Sequence, residues 1–547
     1  MKTLYKNGNI HTMDEAVSTA KAFVVEDNKF AFIGSESEAI NYLKARDDNY
    51  NEVDLGGNLV LPGFNDTHLH LVHFAKSMKS VNLVGTKSIS EVKERLKQNL
   101  SLRDPDDKSW LEGEGWNHDY FADEKRFPNK FDLDEITGDV PTIIMRACFH
   151  IGILNSAAMK VLNLNKETAS QHGNLIELLP DGEPNGVIKE NLLEIVKANK
   201  STLTLEVLKN ILYDAQFIAL AQGLTSVHSD DIGYTQGNDY DLLFQGFREL
   251  DQAKKLNIRI GEQCLIQKKD EIQDFFDKGY KFGYGNEMYR VNCIKLLCDG
   301  SLGARTAALR TPYNDDPSTK GIMLFSQDEL NEIVLLSHSN NCPVALHGIG
   351  DRAIEMILNA IEYAQEKDPK HNPRHSVVHC QITDEELLNK LKTLHALAFI
   401  QPIFLDYDMN IVRDRVGNDL ASTSYAWKTM IDKGIHASFG TDCPVETFNT
   451  MPNIYSAVTR KNITGDTKQT YLLNEKMSMD EAIKAYTIEG AYASGEEKIK
   501  GSISVGKLAD FILLDKDLYN LSNEEEILET KVLATYVDGK KVYDALN

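Results

Sequence analysis

No stretch of this chain is apolar for long enough to cross a membrane, since nothing approaches the ~18 residues that a spanning helix needs. The opening stretch, MKTLYKNGNIHTMDEA, also lacks the apolar centre of a secretion signal. Cysteine is scarce and scattered: seven residues, at 148, 264, 293, 298, 342, 380 and 443, form no CxxC pair. An odd, dispersed set reads as reduced, mostly buried thiols and points to a cytoplasmic protein. Basic residues are outnumbered, 59 Lys and Arg against 82 Asp and Glu, for a formal net charge of −23. That balance argues against nucleic acid or an anionic membrane as a partner and leaves a small-molecule substrate as the expectation. Low-complexity tracts and repeats of fixed period are likewise missing.

What is present is an ordinary globular composition, 42% hydrophobic and 26% charged, over 547 residues. That length exceeds what one core usually serves, so more than one structural unit is expected. The first 60 or so residues read as short strands between turns (TLYKNGNIHTM, AFVVEDNKFAFIG, EVDLGGNLVLPG), with Asn-Gly and Gly-Gly pairs as hairpin punctuation. The end of the chain has the same texture in GSISVGKLADFILLD and KVLATYVDGKKVYD. A composite β-sandwich from residues 1–62 and 498–547 is the reading.

Between them, short apolar runs alternate with amphipathic stretches. NLVLPGFNDTHLH, GLTSVHSDD, LNIRIGEQCLI, VNCIKLLCDG, CPVALHGIGDRA, RHSVVHCQ, LAFIQPIF and IHASFGTDCPV make eight strand candidates. Segments such as DRAIEMILNAIEYAQEK carry apolar residues at helical spacing. Alternation of this kind implies an α/β fold with a parallel sheet, and eight strands imply a (β/α)8 TIM-like barrel over residues 63–497. The gap between the first two strands is too long for one crossover helix. Residues from about 80 to 205 are therefore read as a subdomain inserted after strand 1, over the barrel mouth.

Such a barrel places its functional groups at the C-terminal ends of its strands. His68 and His70 end the first strand, two apart and so on one face. Lys295 lies in the fourth, and His347, His379 and Asp442 end the fifth, sixth and eighth. A lone histidine at a strand end is usually a hydrogen-bonded structural residue, and an HxH pair alone says little. Four histidines and an aspartate at such positions in one barrel point to a metal site. Imidazole and carboxylate suit Zn²⁺ and similar divalent ions, and a bound metal can bring the pKa of water from 15.7 to about 7. Asp442 is the carboxylate assigned to accept that water's proton and pass it to the leaving group.

These residues resemble the binuclear arrangement of the amidohydrolase superfamily, in the order HxH, Lys, His, His, Asp. The longer motifs LPGFNDTHLHL, GEGWNHDYF, KLLCDGSLGARTAAL, LHGIGDRA, VVHCQ and GTDCPV are similar to those of its YtcJ-like subgroup, which includes N-substituted formamide deformylases. The resemblance implies that His68, His70 and Asp442 hold the more buried metal, and His347 and His379 a second. Lys295 would bridge the two once carboxylated, because an ammonium has no acceptor to offer. It implies one or two divalent ions per chain, zinc by preference, and a homodimer. The competing reading of Lys295 is an ordinary buried lysine paired with Asp299.

The chain departs from the subgroup in two places. Its Arg-x-Asp-x-His pattern reads MRACFHIGILNS here, keeping Arg146, His150 and Asn155 but placing Cys148 at the centre, and Asn117 in GWNHD stands where an Asp is expected. Trp116, Arg146, His150 and Arg305 are candidate substrate contacts. Each has a plainer alternative, core packing for Trp116 and a loop-fixing salt bridge for Arg305. Asp351 reads as a helix cap and His73 and His228 as packing residues.

The leading expectation is a metal-dependent hydrolase acting on a non-peptide C–N bond of amide, N-formyl or N-acyl type, through metal-bound hydroxide with Asp442 as general acid/base. A mononuclear deaminase is the alternative within enzymes, but LHGIGDRA lacks the Glu that branch carries after its fifth-strand histidine. A catalytically silent scaffold of the same fold predicts lost ligands, and all six are present.

Overall fold

The computed structural model describes residues 2–46, 49–103, 109–122, 124–147, 151–193, 195–196, 203–370, 372–464 and 468–545. They group into two compact units, one from residues 1–73 and 205–547 and the other from 74–204.

The larger unit contains an eight-stranded parallel barrel sheet. Its strands are β1 (Phe64–Leu69), β2 (Leu224–Ser229), β3 (Arg259–Leu265), β4 (Tyr289–Leu297), β5 (Val344–Gly348), β6 (Ser376–His379), β7 (Leu397–Ile400) and β8 (Ala437–Phe439), hydrogen-bonded in sequence order from β1 to β8. Most of them read as nearly continuous buried runs, as expected of parallel strands covered on both faces. The helical stretches fall between them, for example Asp351–Lys367 between β5 and β6 and Glu385–Thr393 between β6 and β7.

β1 and β8 complete the circle largely through side chains and strand-end backbone. Thr67 Oγ1 donates to the Phe439 carbonyl at 3.0 Å. Beyond the strands, Asp442 N donates to His68 O, and His70 N to Cys443 O, both at 2.8 Å. Gly440 makes this approach possible: a Cβ there would lie 2.8 Å from the His68 nitrogen and 3.0 Å from its carbonyl oxygen. Asp66 adds a buried clamp, accepting from Thr441 Oγ1 at 2.6 Å and from the His68 amide at 3.1 Å. Burial pushes its carboxyl up to about 7 against those bonds.

The same unit carries two further sheets from both chain ends. One pairs Lys2–Lys6, Ala22–Glu26, Lys29–Gly34 and Asn51–Asp54. The other joins Asn9–His11, Thr19–Ala20 and Leu59–Pro62 to Phe511–Leu514, Val532–Val537 and Lys540–Asp544. A shared aromatic core holds them, in which Tyr5, Phe23 and Phe30 meet Phe511 and Tyr536. Leu59–Pro62 ends in this sheet and Phe64 begins the barrel, so Gly63 alone makes the hand-over.

The smaller unit is built on a mixed six-stranded sheet, in which Thr142–Arg146 runs parallel to Leu111–Trp116 on one side and antiparallel to Ile151–Leu154 on the other. Two hydrophobic clusters back it, one around Trp116, Leu96 and Leu133 and the other around Met159, Leu162 and Ile188.

Candidate metal centre

The seam between β1 and β8 sets the two-histidine end of β1 beside Asp442. Asp442 Oδ1 lies 3.0 Å from His70 Nε2 and 3.5 Å from His68 Nε2. His379 joins them from the end of β6: one donor atom each from His68, His379 and Asp442 all lie within 4.8 Å of one another. His347 follows, its ring 4.5 Å from that of His379. Lys295, fully buried in β4, points its Nζ to within 3.2 Å of His68 Nε2. The six residues read from the sequence are therefore brought to one end of the barrel.

Each histidine is oriented by its other ring nitrogen. His68 Nδ1 meets Gln263 Oε1 at 2.7 Å, and His70 Nδ1 meets the Asp230 carbonyl at 3.1 Å. His347 Nδ1 meets Asp299 Oδ1 at 2.9 Å, and His379 Nδ1 meets Gln401 Oε1 at 2.8 Å. The amide directions are fixed independently, since Gln263 Nε2 donates to Thr67 O and Gln401 Nε2 to Phe399 O. All four partners are acceptors, so each Nδ1 carries a proton and Nε2 is the atom that each histidine presents to the cluster; on His70 that Nε2 faces Asp442 Oδ1 at 3.0 Å. A proton held on Nδ1 is what a histidine binding metal through Nε2 needs.

Electrostatics agree with the donor set. Burial, with the charge of Lys295 second, drives His68 well below its ordinary range, and burial and His347 bring His379 down to about 3. Both are neutral at physiological pH, the form in which a histidine can bind a metal. Burial opposes charge on His70 too, but its bond to Asp442 outweighs it and raises His70 to about 9. Burial likewise works against the Asp442 carboxylate, which His70 and His68 hold far below the usual carboxylate range. Two donors sit on strained backbone, with φ of +74° at His379 and +57° at Asp442. Non-glycine residues persist there only where the surroundings over-determine them, typically at functional sites. Four imidazoles with engaged Nδ1 atoms, the buried His68 and His379 among them neutral, plus a buried carboxylate, fit a divalent cation.

Asp299 is not the partner of Lys295. Its carboxylate is taken by His347 Nδ1 and by the amides of Ala308, Ile349 and Gly350 at 2.9–3.2 Å. The ion-pair partner of Lys295 is Asp230, 3.5 Å away just beyond β2. Neither Asp230 nor the orienting pair Gln263 and Gln401 stood out in the sequence. The signal that could have found the glutamines is a buried amide in or just beyond an otherwise apolar barrel strand.

The candidate substrate contacts are placed differently. Arg305 commits its Nε and Nη2 to Asp315 at 3.1 and 2.9 Å, the loop-fixing arrangement. Trp116 is fully buried in the core of the smaller unit. Arg146 Nη2 donates to Asn117 Oδ1 and Asp119 Oδ2, both at 2.8 Å. His150 and Cys148 lie outside the described residues. Asn155 caps the helix Ser156–Val161. Gly350, not Asp351, occupies the N-cap of Asp351–Lys367, and Asp351 instead accepts from the Arg310 and Arg352 amides. His73 stacks on Tyr234, and His228 is buried.

Comparison with known proteins gives consistent results. The family model described as "Amidohydrolase family" matches residues 51–543. The chain is 31% identical over 546 residues to "Putative amidohydrolase YtcJ" of Bacillus subtilis, covering 100% of both. It is 25% identical to the N-substituted formamide deformylase of Arthrobacter pascens, covering 98% of this chain and 97% of that one. A crystal structure of an uncharacterized metal-dependent hydrolase from Pyrococcus furiosus superposes with a TM-score of 0.78 at 27% identity, over 94% of this chain and 99% of that one.

Proposed function

Since this chain belongs to the amidohydrolase family, we propose that it hydrolyses a non-peptide carbon–nitrogen bond of the amide, N-formyl or N-acyl type in a small molecule. The observation that carries the metal-dependent reading is the set of four histidines whose Nδ1 atoms are all engaged by acceptors, so that Nε2 is the atom each presents to the cluster beside Asp442. His68, His70, His347, His379 and Asp442 would hold the metal, zinc by donor type, with Lys295 at the same cluster. When bound, a divalent cation supplies Lewis acidity toward a carbonyl oxygen and acidifies water.

The chain's own residues account for the rest. Asp442 is the buried carboxylate closest to two of the histidines, at the position where a proton taken from water can be held and returned to the departing amine nitrogen. His70 shares hydrogen-bonding distance with the same Oδ1, which directs that oxygen. Gln263, Asp299 and Gln401 hold the imidazoles at fixed angles, so the donor set need not reorganise as charge develops. The similarity to an N-substituted formamide deformylase supports an amide-type bond.

The test is a hydrolysis screen of N-formyl, N-acyl and cyclic amides with zinc-loaded protein, run beside Asp442→Asn. The variant is expected to retain metal and lose about 10²–10⁴-fold in turnover, the usual contribution of a positioned acid/base. Near-normal turnover in that variant, or an inert wild type across the whole panel, would refute the proposal.

A further inference from the structure

One buried carboxylate beside the donor cluster has no role in the reading above. Asp230 is 1% exposed, and neither of its carboxylate oxygens receives a hydrogen bond. Its backbone is committed: the amide donates to Leu69 O at 2.8 Å, and the carbonyl meets His70 Nδ1 at 3.1 Å. The side chain is thereby fixed at the end of β2, with Oδ2 3.5 Å from Lys295 Nζ. The neighbouring acids are differently employed, Asp231 accepting from the Val72 amide and Glu262 from the Asp231 amide. Lys295 is equally enclosed, at 0% exposure, and its Nζ lies 3.2 Å from the His68 nitrogen that carries the free lone pair.

A long lysine chain reaching into a buried cluster has several rotamers to choose from. Its terminal nitrogen is fixed only by what surrounds it. Here those neighbours are His68, which belongs to the donor set, and Asp230, which is not a member of it. We propose that Asp230 is a positioning residue of the centre, holding the side-chain nitrogen of Lys295 against the His68 side of the donor cluster. The role applies to the nitrogen itself and so covers Lys295 as an amine or carrying a carboxylate. The inference rests on the metal-dependent reading, but it concerns metal retention rather than the bond cleaved.

The experiment is a double-mutant cycle on the full chain, loaded with zinc in the presence of bicarbonate. Retained metal is measured by mass spectrometry against a competing chelator. Asp230→Asn is expected to weaken retention by about tenfold or more, as for other residues that orient a metal site. In the Lys295→Met background, Asp230→Asn is expected to change retention by less than about twofold, because a residue acting through Lys295 has nothing left to position. Removing one partner of a buried ion pair is costly while removing both is tolerated, so the double variant folds even if Asp230→Asn alone does not. Should Asp230→Asn not fold, Asp230→Glu takes its place in the cycle, with a smaller loss of retention expected that vanishes in the Lys295→Met background. Unchanged retention in Asp230→Asn, or an undiminished effect in the Lys295→Met background, overturns the proposal. An intact cycle in a protein inert toward every amide would overturn the proposed function alone.

Discussion

Replacing Gln401 with Leu removes the acceptor from His379 while leaving the donor cluster untouched. Gln401 Oε1 lies 2.8 Å from His379 Nδ1, and His379 is only 3% exposed, so water cannot readily take the amide's place. The buried N–H is then unsatisfied, at about 1–3 kcal/mol. His379 can escape that cost by moving its proton to Nε2, but doing so consumes the lone pair that faces His68 and Asp442. Without metal His379 takes that escape, and binding must reverse it, so up to the same about 1–3 kcal/mol falls on metal binding, roughly 5- to 150-fold in affinity. That range spans the roughly 10–100-fold usually lost with such an orienting partner. The assay is competition for zinc between the full chain and a chromophoric chelator at neutral pH, with thermal melting measured alongside. Gln401→Glu, which keeps an acceptor at the same reach, is expected to bind within a few-fold of wild type. If Gln401→Leu folds and binds zinc within twofold of wild type, the argument that the Nδ1 partner sets the ligand state is wrong.

Two further predictions concern stability. At the opposite ends of the barrel strands, His375 Nδ1 accepts from the Val344 amide at 3.1 Å, so its Nε2–H donates to His338 Nδ1 at 2.8 Å. Burial, then the neighbouring His338, lowers His375 to about 3 from its ordinary 6.5. The unfolded chain therefore binds this proton first. Stability falls as pH drops from 6.5 toward 3, by about 1.4 kcal/mol per pH unit from this group. Urea unfolding at several pH values is expected to show a slope that much shallower in His375→Asn; an identical slope contradicts it. Separately, Gly440→Ala would set a methyl 2.8 Å from the His68 backbone and force β1 and β8 apart. It is expected to cost about 1–3 kcal/mol, as overpacking does, and to weaken metal retention. Unchanged melting and metal content would show that the seam has slack.

Much of this arrangement was legible in the residues because it is repeated along the chain. The alternation of apolar runs with amphipathic stretches marks the barrel, and period-2 spacing places His68 and His70 on one face. Strand ends are where a barrel exposes chemistry, which is why His347, His379 and Asp442 could be named from position. Lys295 was readable for a related reason, being flanked in its strand by Cys293, Ile294, Leu296 and Leu297. Arg305 illustrates the limit: a guanidinium in a loop looks like a substrate clamp until its partner Asp315, ten residues on, is seen to accept from its Nε and Nη2.

What the sequence determined by itself is therefore the order of the barrel strands, the candidate donors at their ends and the chemistry such donors favour, since these depend on local pattern and side-chain type. What only the tertiary structure decided is how the donors are paired and held. That Lys295 faces Asp230 rather than Asp299, and that Gln263 and Gln401 set two tautomers, depends on contacts between residues 65 and 195 positions apart in the first and second cases and 22 in the third. Such contacts leave no periodic trace. They follow from which strand lies beside which and from whether a buried polar atom finds a partner, and both are fixed only when the barrel closes.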